Sequence, residues 1–250
     1  MSQGADGSYA EVNGLKMYYE VHGSGKPLVL LHGSFGTAGG WATVLPTLAK
    51  THQVIVVELQ GHGHTADRDQ PLSFEQMADD IAELLKQLLI PSADVFGYSM
   101  GGTAALTVAI RYPELVGKLA ILGACSDSPR DAYEPEAYQQ YQSLSADFAP
   151  PVLKEPYDRT APDPARWPVL VTKIKELGRD FKGYSAAELK EIKAQTLIMM
   201  GDREGIRPEH AVEMYRLLPN AQLALFPGGD HFMLWSCPGR VLSTLVPFLD

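Results

Sequence analysis

Ser99 stands at the centre of Gly97-Tyr98-Ser99-Met100-Gly101, in a setting that could make it a nucleophile. Upstream, Ala93-Asp94-Val95-Phe96 reads as a short buried strand. Downstream, residues 102–110 form an apolar run of small side chains with helical character. A G-x-S-x-G pentapeptide between strand and helix is a nucleophile elbow, in which a strained turn lifts the serine hydroxyl above the sheet. The pentapeptide alone is a weak signal, and its setting carries the weight.

A serine hydroxyl needs a base. Of the histidines, His231 is the best placed, because it follows the last strand in Phe226-Pro227-Gly228-Gly229-Asp230-His231. That is the carboxyl edge where open α/β sheets build their sites. His32 and His62 adjoin glycine loops and read as structural, while His22, His52, His64 and His210 have no supporting context. A neutral imidazole serves as base when a carboxylate holds its other nitrogen. Asp202 and Glu204 both follow the strand ending at Met200, and Asp127 is a third candidate. Spacing alone leaves the choice among them open.

The reaction also needs donors for a developing oxyanion. The Met100 N–H opens the helix after the elbow, where unpaired N–H groups favour negative charge. A second donor is expected from His32-Gly33-Ser34-Phe35-Gly36, with the Ser34 N–H first and Phe35 second.

These residues require a sheet to hold them, and the chain supplies one. Asn13-Gly14 joins two strand-like runs as a hairpin turn. Strands and helices then alternate, with continuous apolar runs at Pro27-Leu28-Val29-Leu30-Leu31 and Val54-Ile55-Val56-Val57, as strands covered on both faces require. Ser73-Phe74-Glu75-Gln76 has capping-box spacing and opens a helix with Met77, Ile81, Leu84, Leu85 and Leu88 on one face. Another strand is expected at Leu119-Ala120-Ile121-Leu122. The alternation breaks over residues 125–193, which are rich in proline and aromatics, with helical pieces expected at 135–146 and 166–177. It resumes with the strands 196–200 and 222–226 and the helices 210–218 and 240–249. Such alternation implies a mostly parallel sheet with helices on both faces. The interruption is too long for an ordinary loop and reads as an insertion.

Composition sets the limits. The chain has 250 residues, 45% hydrophobic and 20% charged, with a formal net charge of −9. Those are globular values. The acidic balance argues against nucleic acid as a partner. No apolar run approaches the roughly 18 residues of a membrane span, and the polar residues 1–10 do not read as a secretory signal. Cys125 and Cys237 make no disulfide framework, so free thiols in a reducing cytoplasm are expected. No metal-ligand spacing and no dinucleotide motif after a strand occur, so neither metal nor cofactor is expected.

The chain resembles the α/β-hydrolase fold family, in particular its small serine esterases, haloperoxidase-like perhydrolases and carbon–carbon bond hydrolases. The resemblance rests on His32-Gly33, Gly61-His62-Gly63, Gly97-Tyr98-Ser99-Met100-Gly101-Gly102, Gly201-x-x-Glu204 and Pro227-Gly228-Gly229-Asp230-His231. It implies a twisted, mostly parallel sheet of about eight strands, with a core of residues 1–124 and 194–250. It further implies a helical cap of residues 125–193 after the sixth strand. The family's acid falls three residues after the glycine, which is Glu204 here, with Asp202 as runner-up. Most relatives carry aspartate at that point. The serine at the elbow argues against haloalkane dehalogenases and epoxide hydrolases, which use aspartate there.

The implied activity is a soluble, cytoplasmic serine hydrolase, monomer or homodimer, cleaving small to medium esters, thioesters or lactones through an acyl-enzyme. Ser99, His231 and Glu204 would form the triad, Ser34 and Met100 the oxyanion hole. Phe35, Tyr98, Tyr141, Trp167 and Phe232 would line the substrate pocket. Perhydrolysis, carbon–carbon hydrolysis, hydroxynitrile lysis and a ligand receptor on the same scaffold are the alternatives.

Overall fold

The computed structural model describes residues 7–250; the start of the polar opening stretch, through residue 6, lies outside them. The chain begins with the hairpin β1 (Ser8–Val12) and β2 (Leu15–His22), turned through Asn13 and Gly14, both at positive φ. There follow β3 (Lys26–Leu31), α1 (Leu45–Leu48), β4 (His52–Val57), α2 (Phe74–Gln87), β5 (Ala93–Tyr98), α3 (Met100–Arg111) and β6 (Val116–Leu122). The helices α4 (Pro129–Ala132), α5 (Pro135–Gln142), α6 (Pro151–Thr160), α7 (Trp167–Asp180) and α8 (Ala186–Lys190) then lie in succession. The chain closes with β7 (Gln195–Gly201), α9 (Pro208–Leu217), β8 (Ala221–Phe226), α10 (Met233–Ser236) and α11 (Pro238–Leu249).

The eight strands form one sheet in the order β1-β2-β4-β3-β5-β6-β7-β8. Only the β1/β2 and β2/β4 pairs are antiparallel. Alternate residues of the apolar strands feed two cores. Val29 and Leu31 pack with α2 and α3 on one face. Leu28 and Leu30 pack with Trp41, Leu48 and the α11 residues Val241 and Leu245 on the other. Burial on both sides is why these strands read as unbroken hydrophobic runs.

The Ser73 hydroxyl accepts the Gln76 N–H as expected, but the Gln76 side chain bonds Asp80 instead of closing the capping box. Between β6 and β7 the described chain forms helices, turns and two isolated bridges, Asp127 to Gly183 and Tyr133 to Ile206. The expected helix at 135–146 stops at Gln142. Three helices there were not expected, the short α4 among them. α6 accommodates Pro151 in its first turn, where its missing N–H costs nothing, and tolerates Pro156. α8 is opened by a complete capping box between Ser185 and Glu188. Among the described residues no helix is long and apolar enough to cross a membrane.

Candidate active site

The sheet order brings the chemistry together. β3 and β5 pair directly, with Leu31 opposite Gly97. The loop after β3 and the turn after β5 therefore leave the same edge side by side. β6, β7 and β8 follow in order across the sheet, so the loops carrying Gly123, Glu204 and His231 are neighbours too. Ser99 caps α3 with φ 54 and ψ −124, a conformation costly for a side chain and held by its surroundings. Its N–H is held by the Leu122 carbonyl at 2.9 Å. A side chain at Gly97 would run into the Gly101 carbonyl, which explains the glycines around the serine.

His231 Nε2 lies 3.0 Å from Ser99 Oγ, and its Nδ1 lies 2.7 Å from Glu204 Oε2. The Glu204 side chain is wholly buried, and its Oε1 has no hydrogen-bond partner among the described residues. A side chain at Gly123, which sits at positive φ, would come within 2.7 Å of that oxygen. The carboxylate keeps Nδ1 protonated and leaves Nε2 as the acceptor facing Ser99. The Tyr98 hydroxyl donates to the His231 carbonyl at 2.8 Å, and the two rings lie 5.2 Å apart.

Asp202 does not reach the imidazole. Its half-exposed carboxylate accepts the Gly228 N–H. Asp127 instead accepts the Ser128 N–H at 2.7 Å. The two sequence alternatives to Glu204 are thus engaged in turns.

Ser34, Ser99 and Met100 line one small cavity of about 50 Å³. The turn and cap bonds of the described residues take up neither the Ser34 nor the Met100 N–H. Phe35, at φ 63, turns the loop after β3. His32 braces the same loop: one ring nitrogen lies 2.8 Å from the Gly33 carbonyl, and the other accepts the Leu59 N–H at 3.1 Å. Burial, helped by His62 nearby, pushes the His32 pKa down to about 3, and burial takes His62 down to about 4. Both are neutral, in line with their structural reading.

The expected pocket residues divide. Tyr141 lines the small cavity. Phe35, Tyr98 and Phe232 line a broad groove of about 960 Å³ that also reaches Ser34. Trp167 lines neither, which corrects its expected place. It is 1% exposed, packs against Phe35 and Tyr157, and donates its indole N–H to the Phe148 carbonyl at 2.7 Å. Its large ring supports the groove wall from behind.

Two residues went unnoticed in the sequence. Glu58 follows β4, is fully buried, and accepts the Ala38 N–H at 2.8 Å while facing His64 Nδ1 at 3.0 Å. Burial raises its pKa against those bonds. Its signal was an acid set directly behind the apolar run Val54 to Val57. Tyr133 lines the small cavity beside Tyr141, and no spacing rule marks a tyrosine in an irregular segment.

An eight-stranded, mostly parallel sheet with a strained serine after its fifth strand defines an α/β hydrolase. The chain belongs to the Alpha/beta hydrolase family, whose sequence profile matches residues 28–244. It is 28% identical over 246 residues to the RutD protein of Azorhizobium caulinodans, named as a proposed carbamate hydrolase, covering 89% of this chain and 91% of that one. It is 25% identical over 264 residues to the pimeloyl-[acyl-carrier protein] methyl ester esterase of Nitrosospira multiformis, covering 94% and 98%. It is also 29% identical over 266 residues to the 2-hydroxy-6-oxononadienedioate/2-hydroxy-6-oxononatrienedioate hydrolase of Paraburkholderia phymatum, covering 94% and 91%. The fold matches the meta-cleavage product hydrolase of Pseudomonas fluorescens with a TM-score of 0.80 at 22% identity, over 97% of both chains.

Proposed function

We propose that this hydrolase cleaves small to medium carboxylic esters through an acyl-enzyme on Ser99. The observation that carries the reading is the continuous contact from Ser99 Oγ through His231 to the buried Glu204 carboxylate. His231 Nε2 takes the serine proton as Oγ attacks the ester carbonyl. The Ser34 and Met100 N–H groups receive the developing oxyanion. The imidazolium, stabilised by Glu204, then gives its proton to the departing alkoxide as the carbon–oxygen bond breaks. A water, deprotonated by the same nitrogen, adds to the acyl-enzyme and releases the acid and free serine.

Residues 125–193 act in this reading as a cap, closing the small cavity through Tyr133 and Tyr141 of the helical segment. Cys125 and Cys237 are both free, in keeping with a reducing compartment such as the cytoplasm. A fluorophosphonate probe with a panel of p-nitrophenyl esters tests the reading. Labelling at Ser99 with ester turnover is expected, and an unlabelled, inert protein overturns it.

A further inference from the structure

Two spaces that share Ser34 as a lining residue, only one of them lined by Ser99, differ greatly in size. The small cavity of about 50 Å³ runs from Ser34, Ser99 and Met100 to Tyr133, Tyr141 and Leu177. At roughly 10–15 Å³ for each water-sized position, it admits a chain of about three to five non-hydrogen atoms. The groove of about 960 Å³ shares Ser34 with that cavity and has Phe232 and Trp235 at its exposed rim.

His231 decides which part of an ester enters which space. Its proton must reach the leaving oxygen. Tyr98 and Phe232, the aromatic neighbours of the imidazole, line the groove and not the small cavity. The alcohol therefore departs along the groove, and the acyl chain points into the small cavity.

That cavity is not uniformly apolar. The Tyr141 hydroxyl is spent on the Ile174 carbonyl, and the Thr103 hydroxyl on the Cys125 carbonyl at 2.8 Å. Tyr133 is held differently. Its N–H donates to the Pro129 carbonyl at 3.1 Å, it bridges to Ile206, and the next residue's N–H donates to the Gly205 carbonyl at 2.9 Å. Its hydroxyl makes no hydrogen bond to any described side chain or backbone group, although the residue lines the cavity. Burial pushes the phenol's pKa well up, so the group stays a donor. A donor on the cavity wall without a protein acceptor rewards a chain that brings an oxygen to it over one that does not.

We infer that the small cavity selects a short acyl group carrying a hydrogen-bond acceptor, with Tyr133 as the specificity-determining donor and the broad groove taking a larger, apolar alcohol. This assignment rests on the ester-hydrolase reading above.

The test compares p-nitrophenyl butyrate, methoxyacetate and hexanoate, followed by acetate esters of ethanol, butanol and hexanol. Butyrate and methoxyacetate have the same length and differ by one oxygen. Extension from butyrate to hexanoate is expected to lower kcat/KM about tenfold or more, whereas lengthening the alcohol is not. Tyr133→Phe should cut the methoxyacetate-to-butyrate ratio of kcat/KM about threefold or more relative to the unmodified enzyme. Taking that double ratio cancels the esters' different intrinsic reactivities. Leu177→Ala, a second and independent variant, should restore hexanoate relative to butyrate. Equal cleavage of butyrate and hexanoate, or a length limit on the alcohol side instead, overturns the cavity assignment. An unchanged ratio in Tyr133→Phe overturns the role of that hydroxyl. Should no ester turn over and Ser99 resist the probe, the hydrolase mechanism itself falls; a flat series from a labelled, active enzyme removes only this inference.

Discussion

The Asp202 carboxylate accepts the Gly228 N–H at 2.6 Å, so it ties the turn after β7 to the turn after β8. Two residues further on, Glu204 bonds His231 Nδ1. The two acids hold the same pair of loops in different ways, one by a surface turn and one through the imidazole.

Their substitutions should therefore separate. Glu204→Gln keeps size but removes the charge that stabilises the imidazolium, and should lower ester kcat by on the order of 10²–10⁴. Asp202→Asn should cost less than about tenfold, since an amide oxygen can still accept the Gly228 N–H. Steady-state kinetics on both variants decides it, and the reverse ranking would move the catalytic role to Asp202.

Ser99→Ala should reduce ester kcat by on the order of 10³–10⁶ with the fold intact. The strained backbone at Ser99 gives this variant a second signature. Circular dichroism should be unchanged, so a loss of activity with native structure points to the missing hydroxyl. Near-native turnover would sink the serine mechanism.

Stability should fall as the solution is acidified from about pH 6.5 to 4. His32 and His62 stay neutral in the folded protein because burial holds them down to about 3 and about 4. Below the ordinary histidine value the unfolded chain takes up protons that the folded chain refuses, at about 1.4 kcal/mol per pH unit for each ring. Glu58, raised by burial, works the other way and offsets part of the loss. His62→Asn can keep the contact to the Gln60 carbonyl, made by Nδ1 at 2.9 Å, without titrating. The drop in Tm between pH 7.5 and 5 should be smaller in that variant, and identical drops would contradict the account.

Asp67 links the loop after β4 to the helical segment, receiving Lys173 Nζ and Arg166 Nη2, both at 2.7 Å. Burial alone would raise its pKa, yet the Lys173 and Arg166 bonds outweigh it and hold the carboxyl below its usual range. Asp67→Ala leaves a mostly buried lysine unpaired and should cost about 1–3 kcal/mol. Limited proteolysis should then cut first within residues 143–166. Unaltered Tm and cleavage would show that this link contributes nothing.

Much of the sheet was legible because its central strands are apolar on both faces, and an unbroken run such as Leu28 to Leu31 admits few other readings. Ser99 and His231 were legible because chain order and strand ends are local signals. The acid was not settled by the residues themselves: Asp202 and Glu204 both follow β7, and only three-dimensional direction distinguishes them. The helical segment was the least legible, since its prolines mimic breaks; Pro151 and Pro156 lie within one helix. Trp167 was misplaced for a related reason. An aromatic ring reads alike from sequence whether it faces a cavity or supports its wall.

The contacts between Tyr133 and Ile206, and between Glu134 and Gly205, join the helical segment to the loop that bears Glu204. Arg207 adds to the join, its N–H donating to the Ala132 carbonyl at 2.9 Å. This bears on how the protein could be re-engineered. A chimera that exchanged residues 125–193 wholesale for those of a relative would also replace one half of the seam beside the acid. Grafts that begin after residue 134 leave that seam native. The later helices can then be exchanged while the Glu204–His231 contact is inherited unchanged.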